Sequence, residues 1–191
     1  MEKANKEIRL AEIRAAAEGD RVVEGYALVL EQETIIFSCD GVDYKEIIDR
    51  NALDGADLTD IPFKYNHSDN VMIMARTRNH TLKVEPDQKG LFIHAELADT
   101  TTGRDMYELV RRGDIDKMSF AFTVQTDSYD VLTHTRRILK IDKLYDVSAV
   151  DTPAYDQTSI SARSYFEAQA ELEEKAKLEE KRQKLILETY L

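Results

Sequence analysis

Cysteine, proline and glycine are all scarce in this chain. One cysteine, Cys39, among 191 residues excludes an intrachain disulfide and fits a reducing compartment better than a secretory one. Three prolines and seven glycines argue against a low-complexity or disordered polymer. No apolar run approaches the roughly 20 residues needed to cross a bilayer. The first residues, Met1-Glu2-Lys3-Ala4-Asn5-Lys6-Glu7, are charged and have no apolar stretch behind them, unlike a secretory signal. Positive charge is also short, with 26 Lys and Arg against 37 Asp and Glu and a net charge of −11. That balance disfavours a nucleic-acid backbone or an anionic membrane surface as a direct partner. An ordered, intracellular protein is expected.

What is present suffices for a core, since 42% of the residues are hydrophobic and a chain of this length buries roughly 70% of its unfolded surface. The charge is unevenly placed. From Arg163 onward there are seven acidic and six basic residues, so the first 162 residues carry nearly all of the excess. The tail lacks Gly and Pro and pairs Glu171 with Lys175, Glu173 with Lys177 and Glu180 with Lys184 at i,i+4. This predicts a body over residues 1–162 and a long, charged, solvated helix over residues 163–191. Its apolar positions keep no steady heptad, so a coiled coil is only weakly signalled.

The body reads as mostly strand. Arg21–Leu30, Glu33–Cys39, Ile61–His67, Val71–Thr77, Thr81–Glu85, Leu91–Leu97, Lys117–Gln125, Arg136–Ile141 and Leu144–Val150 have β-rich composition, with turns at Asp40-Gly41 and Pro86–Gly90. Tyr44–Leu53 places Ile47, Ile48 and Ala52 at helical spacing. A second helix is expected from Gly103 to Arg112, capped by Thr101 or Thr102 and closed by Gly113. Many short strands with a few helices predict a mainly β fold with some α, a closed or nearly closed β-barrel wrapped by helices.

Three segments carry chemistry-bearing side chains. Tyr65-Asn66-His67-Ser68-Asp69 puts a histidine at a strand end. In Lys117–Gln125, Met118, Phe120, Phe122 and Val124 share the bulky face, leaving Ser119 on the smaller, more polar one with Ala121 and Thr123. In Leu144–Val150, Asp146 and Ser148 lie opposite Tyr145, Val147 and Ala149. A carboxylate inside an apolar strand is costly to bury unless something pairs with it, and a histidine N–H is a natural partner. A serine hydroxyl needs a base within hydrogen-bond reach, and that base needs a third group to hold it. His67, Ser119 and Asp146 supply the three types, although spacing alone is a weak signal.

The order of several short motifs adds weight. Glu24-Gly25-Tyr26-Ala27, Tyr44-Lys45-Glu46-Ile47-Ile48, Asn66-His67, Ala75-Arg76-Thr77, Gly103-Arg104-Asp105, Arg112-Gly113-Asp114, Met118-Ser119-Phe120, and Leu144-Tyr145-Asp146-Val147-Ser148 with Thr152-Pro153-Ala154-Tyr155 occur in sequence. From Val22 to Ser161 the chain resembles the prohead serine proteases of tailed bacteriophages. The resemblance implies a fold related to the herpesvirus assemblins, with His67 as catalytic histidine, Ser119 as nucleophile and Asp146 as the acidic third member. Ser68 stands where an acidic residue often follows the histidine. Arg50-Asn51-Ala52-Leu53 and Met74-Ala75 also depart from the family pattern, which bears on the substrate groove more than on the chemistry.

The expectation that follows is a serine endopeptidase of phage head morphogenesis. It would cleave scaffold or capsid-precursor segments and itself, as a homodimer or higher oligomer, inside assembling proheads in the host cytoplasm. It would use no cofactor and no metal, because His80, His94 and His134 lack ligand spacing. Oxyanion donors are sought in the Asp151–Tyr155 loop. The rival is a non-catalytic capsid-assembly or scaffold-binding module on the same fold. A third reading pairs Cys39 with His67 as a thiol hydrolase, although Cys39 reads more simply as a buried small hydrophobe. Asp146 has a structural alternative in holding a turn or Arg137. Ser148, on the same face as Asp146, could hydrogen-bond within the site, but reads more simply as filler.

Overall fold

The computed structural model describes residues 6–17, 21–151 and 160–189, with side chains of the last helix described over 164–186. Its strands are β1 (Glu7–Glu12), β2 (Arg14–Ala15), β3 (Val22–Val29), β4 (Thr34–Cys39), β5 (Val42–Ile48), β6 (Pro62–Tyr65), β7 (Ala75–Arg76), β8 (Leu82–Pro86), β9 (Gly90–Glu96), β10 (Lys117–Asp130) and β11 (Thr135–Val150). The helices are α1 (Thr101–Arg112) and α2 (Ile160–Thr189).

The mainly β character with a long C-terminal helix is as expected, but the barrel is not. One sheet runs β1-β10-β11-β5-β4, with β6 attached to β11 and β7 to β6, and a second runs β2-β3-β9-β8. Among the described residues neither sheet closes on itself. The two meet by packing rather than by hydrogen-bonded pairing. At the crossing, a Cβ added to Gly25 of β3 would lie 2.3 Å from the Glu12 carbonyl oxygen of β1 and 2.6 Å from Met118 Cε of β10. Only glycine allows the strands to approach so closely. The core between the sheets takes Met118, Phe120, Phe122, Val147, Ile93 and Leu91, all nearly or fully buried. Each such large side chain contributes about 1.5–3 kcal/mol by leaving water.

The segment expected to be helical from Tyr44 is instead strand β5. Tyr44, Glu46 and Ile48 are buried in alternation, a period of two disguised by a charged residue at a core position. Glu46 is tolerated there because Arg9 donates to it through Nε and Nη2 at 2.6 and 2.5 Å. Arg136 adds a third donor at 3.3 Å and also binds Glu7 at 2.8 Å. The same cluster explains β1, where the sequence suggests no element. Its buried residues are Glu7 and Arg9, while Leu10 faces outward.

Smaller differences have local causes. Arg136–Ile141 and Leu144–Val150 are one continuous strand, β11, carried past residues 142–143 by irregularities in its pairing with β10. Within Val71–Thr77 only Ala75–Arg76 is strand. Helix α1 is capped one residue earlier than expected: the Thr100 hydroxyl accepts from Gly103 N–H at 3.2 Å, and Gly113 ends the helix at φ +81°. Cys39, expected to be buried, is exposed at the end of β4.

Candidate active site

Strands β10, β11 and β6 lie side by side and set the site. β10 is antiparallel to β11, with Ser119 opposite Ser148 and Ala121 opposite Asp146. Residues directly opposite in an antiparallel pair share a face, so both serines and the aspartate project to the side away from Phe120 and Val147. Small Ala121 leaves room for the carboxylate. β6 runs parallel to β11 on its other flank, with Lys64 beside Ser148 and Tyr65 beside Ala149. Where β6 ends, the chain turns back over this face.

That turn is unusual in composition. Asn66 and His67 both have positive φ, +49° and +52°, and Ser68 N–H closes on the Tyr65 carbonyl at 2.9 Å. Two positive central φ values are the mark of a type I′ turn, which favours Asn first and Gly second. His67 occupies the glycine position at a steric cost, and its surroundings hold it there. Asn66 N–H donates to the Ala149 carbonyl at 3.0 Å. Asn66 Nδ2 and Tyr65 Oη donate to the two carboxylate oxygens of Asp151, at 3.0 and 2.6 Å. The Asp151 hydrogen bond, with lesser help from burial, pushes the Tyr65 phenol up. Lys64 and Asp69 pair across the turn at 2.6 Å, and Lys64 holds the Asp69 carboxyl below its usual range.

The turn drops the His67 ring between the two strands. Nε2 lies 2.9 Å from Ser119 Oγ, and Nδ1 lies 2.5 Å from Asp146 Oδ1. An ionised carboxylate can only accept, so Nδ1 carries the proton and Nε2 is left to accept from the serine hydroxyl. The three side chains picked from the sequence thus lie in one hydrogen-bonded line, drawn from residues 52 and 79 positions apart. The Asp146 side chain is 8% exposed, that of His67 19%, and Ser119 as a whole 1%.

Asp146 does not hold Arg137, which pairs instead with Glu31 and Asp49. Ser148, for which filler is the simpler of two expectations, is bonded to both His67 and Asp146, as its shared parity with Asp146 two residues earlier allows. Of the loop expected to supply oxyanion donors, residues 152–155 lie outside the described residues, and Asp151 N–H is directed to Asn66 Oδ1 at 3.4 Å. Among the described residues, no group of three or more His, Cys, Asp or Glu is arranged to hold a metal ion, and no helix is long and apolar enough to cross a membrane.

Residues 6–172 match the family model of the caudovirus prohead serine proteases. The chain belongs to that family. It is 30% identical over 77 residues to the prohead protease of Enterobacteria phage HK97, a stretch covering 40% of this chain and 34% of that one. The alignment therefore spans about a third of the length of that prohead protease. No solved structure matches the chain.

Proposed function

We propose that this prohead protease family member is an active serine endopeptidase of phage head morphogenesis, with Ser119 as nucleophile, His67 as general base and Asp146 as its anchor. The observation that carries the reading is the unbroken line of hydrogen bonds from Ser119 Oγ through both nitrogens of His67 to Asp146. His67 Nε2 takes the hydroxyl proton as Oγ attacks a peptide carbonyl. Asp146 keeps Nδ1 protonated and stabilises the imidazolium. The same proton then passes to the leaving amine, and water repeats the sequence on the acyl-enzyme.

The substrates are segments of capsid precursor and scaffold, and the chain itself, cleaved inside assembling proheads in the host cell. Residues 1–162 act as the protease body, of assemblin-related fold, and residues 163–191 as its charged tail. The working form is a homodimer or larger. The test is labelling by a fluorophosphonate, with the adduct mapped by peptide mass. Label on Ser119, absent from Ser119→Ala and His67→Ala, supports the reading. Label elsewhere, or none on folded wild type, moves the non-catalytic assembly module ahead. Loss of activity on alkylating Cys39, with Ser119→Ala indifferent, would favour the thiol reading instead.

A further inference from the structure

Ser148 stands outside the serine–histidine–carboxylate line yet touches two of its members. It is fully buried, lies opposite Ser119 across the β10–β11 pair, and shares a face with Asp146. Its hydroxyl accepts from the backbone N–H of His67 at 3.2 Å and donates to Asp146 Oδ1 at 2.9 Å. That same Oδ1 accepts from His67 Nδ1. The three bonds close a ring, from the His67 main chain to Ser148, from Ser148 to Asp146, and from Asp146 to the His67 imidazole. One hydroxyl thereby couples the backbone and the side chain of a single residue.

His67 needs such a hold. Its left-handed backbone takes its N–H out of any strand ladder, and the N–H is directed to Ser148 in place of a backbone carbonyl. A buried hydroxyl is costly unless both its donor and acceptor functions are used, and here both are spent on the site. Packing alone would favour Ala or Val at a fully covered position in an apolar strand.

We propose that Ser148 is a positioning residue, whose hydroxyl fixes the His67 turn and the Asp146 carboxylate relative to one another so that Nε2 stays aimed at Ser119. The inference rests on the serine-protease reading above. In Ser148→Ala the His67 N–H loses its partner and Asp146 loses a donor, so the imidazole samples orientations that no longer meet Ser119. A merely structural serine would lower stability and leave the rate per folded molecule unchanged. A positioning serine acts through His67 and Asp146, so its loss has little further effect once Asp146 is gone.

The experiment compares full-length wild type, Ser148→Ala, Asp146→Ala and the double variant. It reads the rate constant of fluorophosphonate inactivation per folded molecule and the imidazole nitrogen-bound proton resonance of His67. Ser148→Ala is expected to slow inactivation about 10- to 100-fold, the range for a hydrogen bond to a charged group, and to shift the Nδ1 proton signal. The double variant is expected to match Asp146→Ala within about two-fold. Ser148→Thr, which keeps the hydroxyl, is expected to recover part of the rate. Should Ser148→Ala fail to fold, Ser148→Cys, similar in shape and a much weaker donor, carries the same comparison. A Ser148→Ala rate equal to wild type, or losses that multiply in the double variant, overturns the inference alone. An unreactive wild type overturns the serine-protease reading and this inference with it.

Discussion

Arg9 on β1 and Glu46 on β5 meet in a two-pronged ion pair although two strands, β10 and β11, separate their own. Both side chains are buried, and the Arg9 guanidinium lies 5.4 Å from the centre of the Phe122 ring. The pair therefore spans the face of β10 opposite Ser119 and ties the sheet together behind the site. Glu46→Gln keeps the shape and removes the charge, leaving two buried arginines short of a counterion. Removing one partner of a buried pair typically costs about 3–5 kcal/mol. A urea titration is expected to show that loss, and an unchanged midpoint would contradict the role given to the cluster.

The same cluster predicts part of the acid sensitivity. Burial alone would raise the Glu7 carboxyl, but Arg9 and Arg136 outweigh it and hold the group below its ordinary value of 4.5. A carboxyl whose folded value is depressed stabilises the fold fully above its unfolded value, and that contribution is lost as pH falls through the folded one. Urea midpoints of wild type are thus expected to fall below about pH 4.5. Glu7→Gln is expected to be less stable at neutral pH and to have a shallower acid limb. An acid limb of unchanged steepness in Glu7→Gln would contradict the assignment.

Helix α2 is fastened to the body through Phe166 and Glu173. Phe166 is fully buried, with its ring against Tyr44, Tyr129 and Tyr165, and Arg136 stacks on Tyr165 with its guanidinium carbon 4.2 Å from the ring centre. Glu173 accepts from Tyr129 Oη at 2.8 Å and lies 3.2 Å from His134 Nδ1. Burial first and the Glu173 bond second push the Tyr129 phenol well above its usual range. Residues 174–186 are all exposed. Truncation after residue 174 is therefore expected to leave the melting temperature nearly unchanged. Phe166→Ala is expected to cost about 3–5 kcal/mol, as for other buried phenylalanines. Equal losses from the two changes would contradict this picture.

The sequence was legible where burial and polarity agree. The alternation Met118-Ser119-Phe120-Ala121-Phe122 gives the correct faces of β10, and Asp146 stands out because a carboxylate in an apolar strand requires a partner. It was illegible where they disagree. Glu7, Arg9 and Glu46 occupy core positions because they neutralise one another, and that pairing links residues 37 apart in a way no local pattern reveals. The turn at Asn66-His67 looks like a strand end in the sequence because positive φ at a histidine leaves little trace in composition. Barrel closure failed as an expectation because strand count does not specify whether two sheets pair or merely pack, a choice that depends here on contacts such as Gly25 against Glu12. Ser148 is ambiguous in the sequence, between a hydrogen-bonding member of the site and filler, because a serine in a strand has no single meaning until its neighbours are placed.

Cleavage of peptide bonds by Ser119, activated by His67, is the activity proposed for this protein. The intact mass of concentrated wild type is followed beside that of Ser119→Ala, both purified whole. Wild type is expected to shorten with time by discrete fragments while Ser119→Ala stays intact under the same conditions. Identical shortening of both chains would contradict it, since the cutting would then belong to another group or another protein.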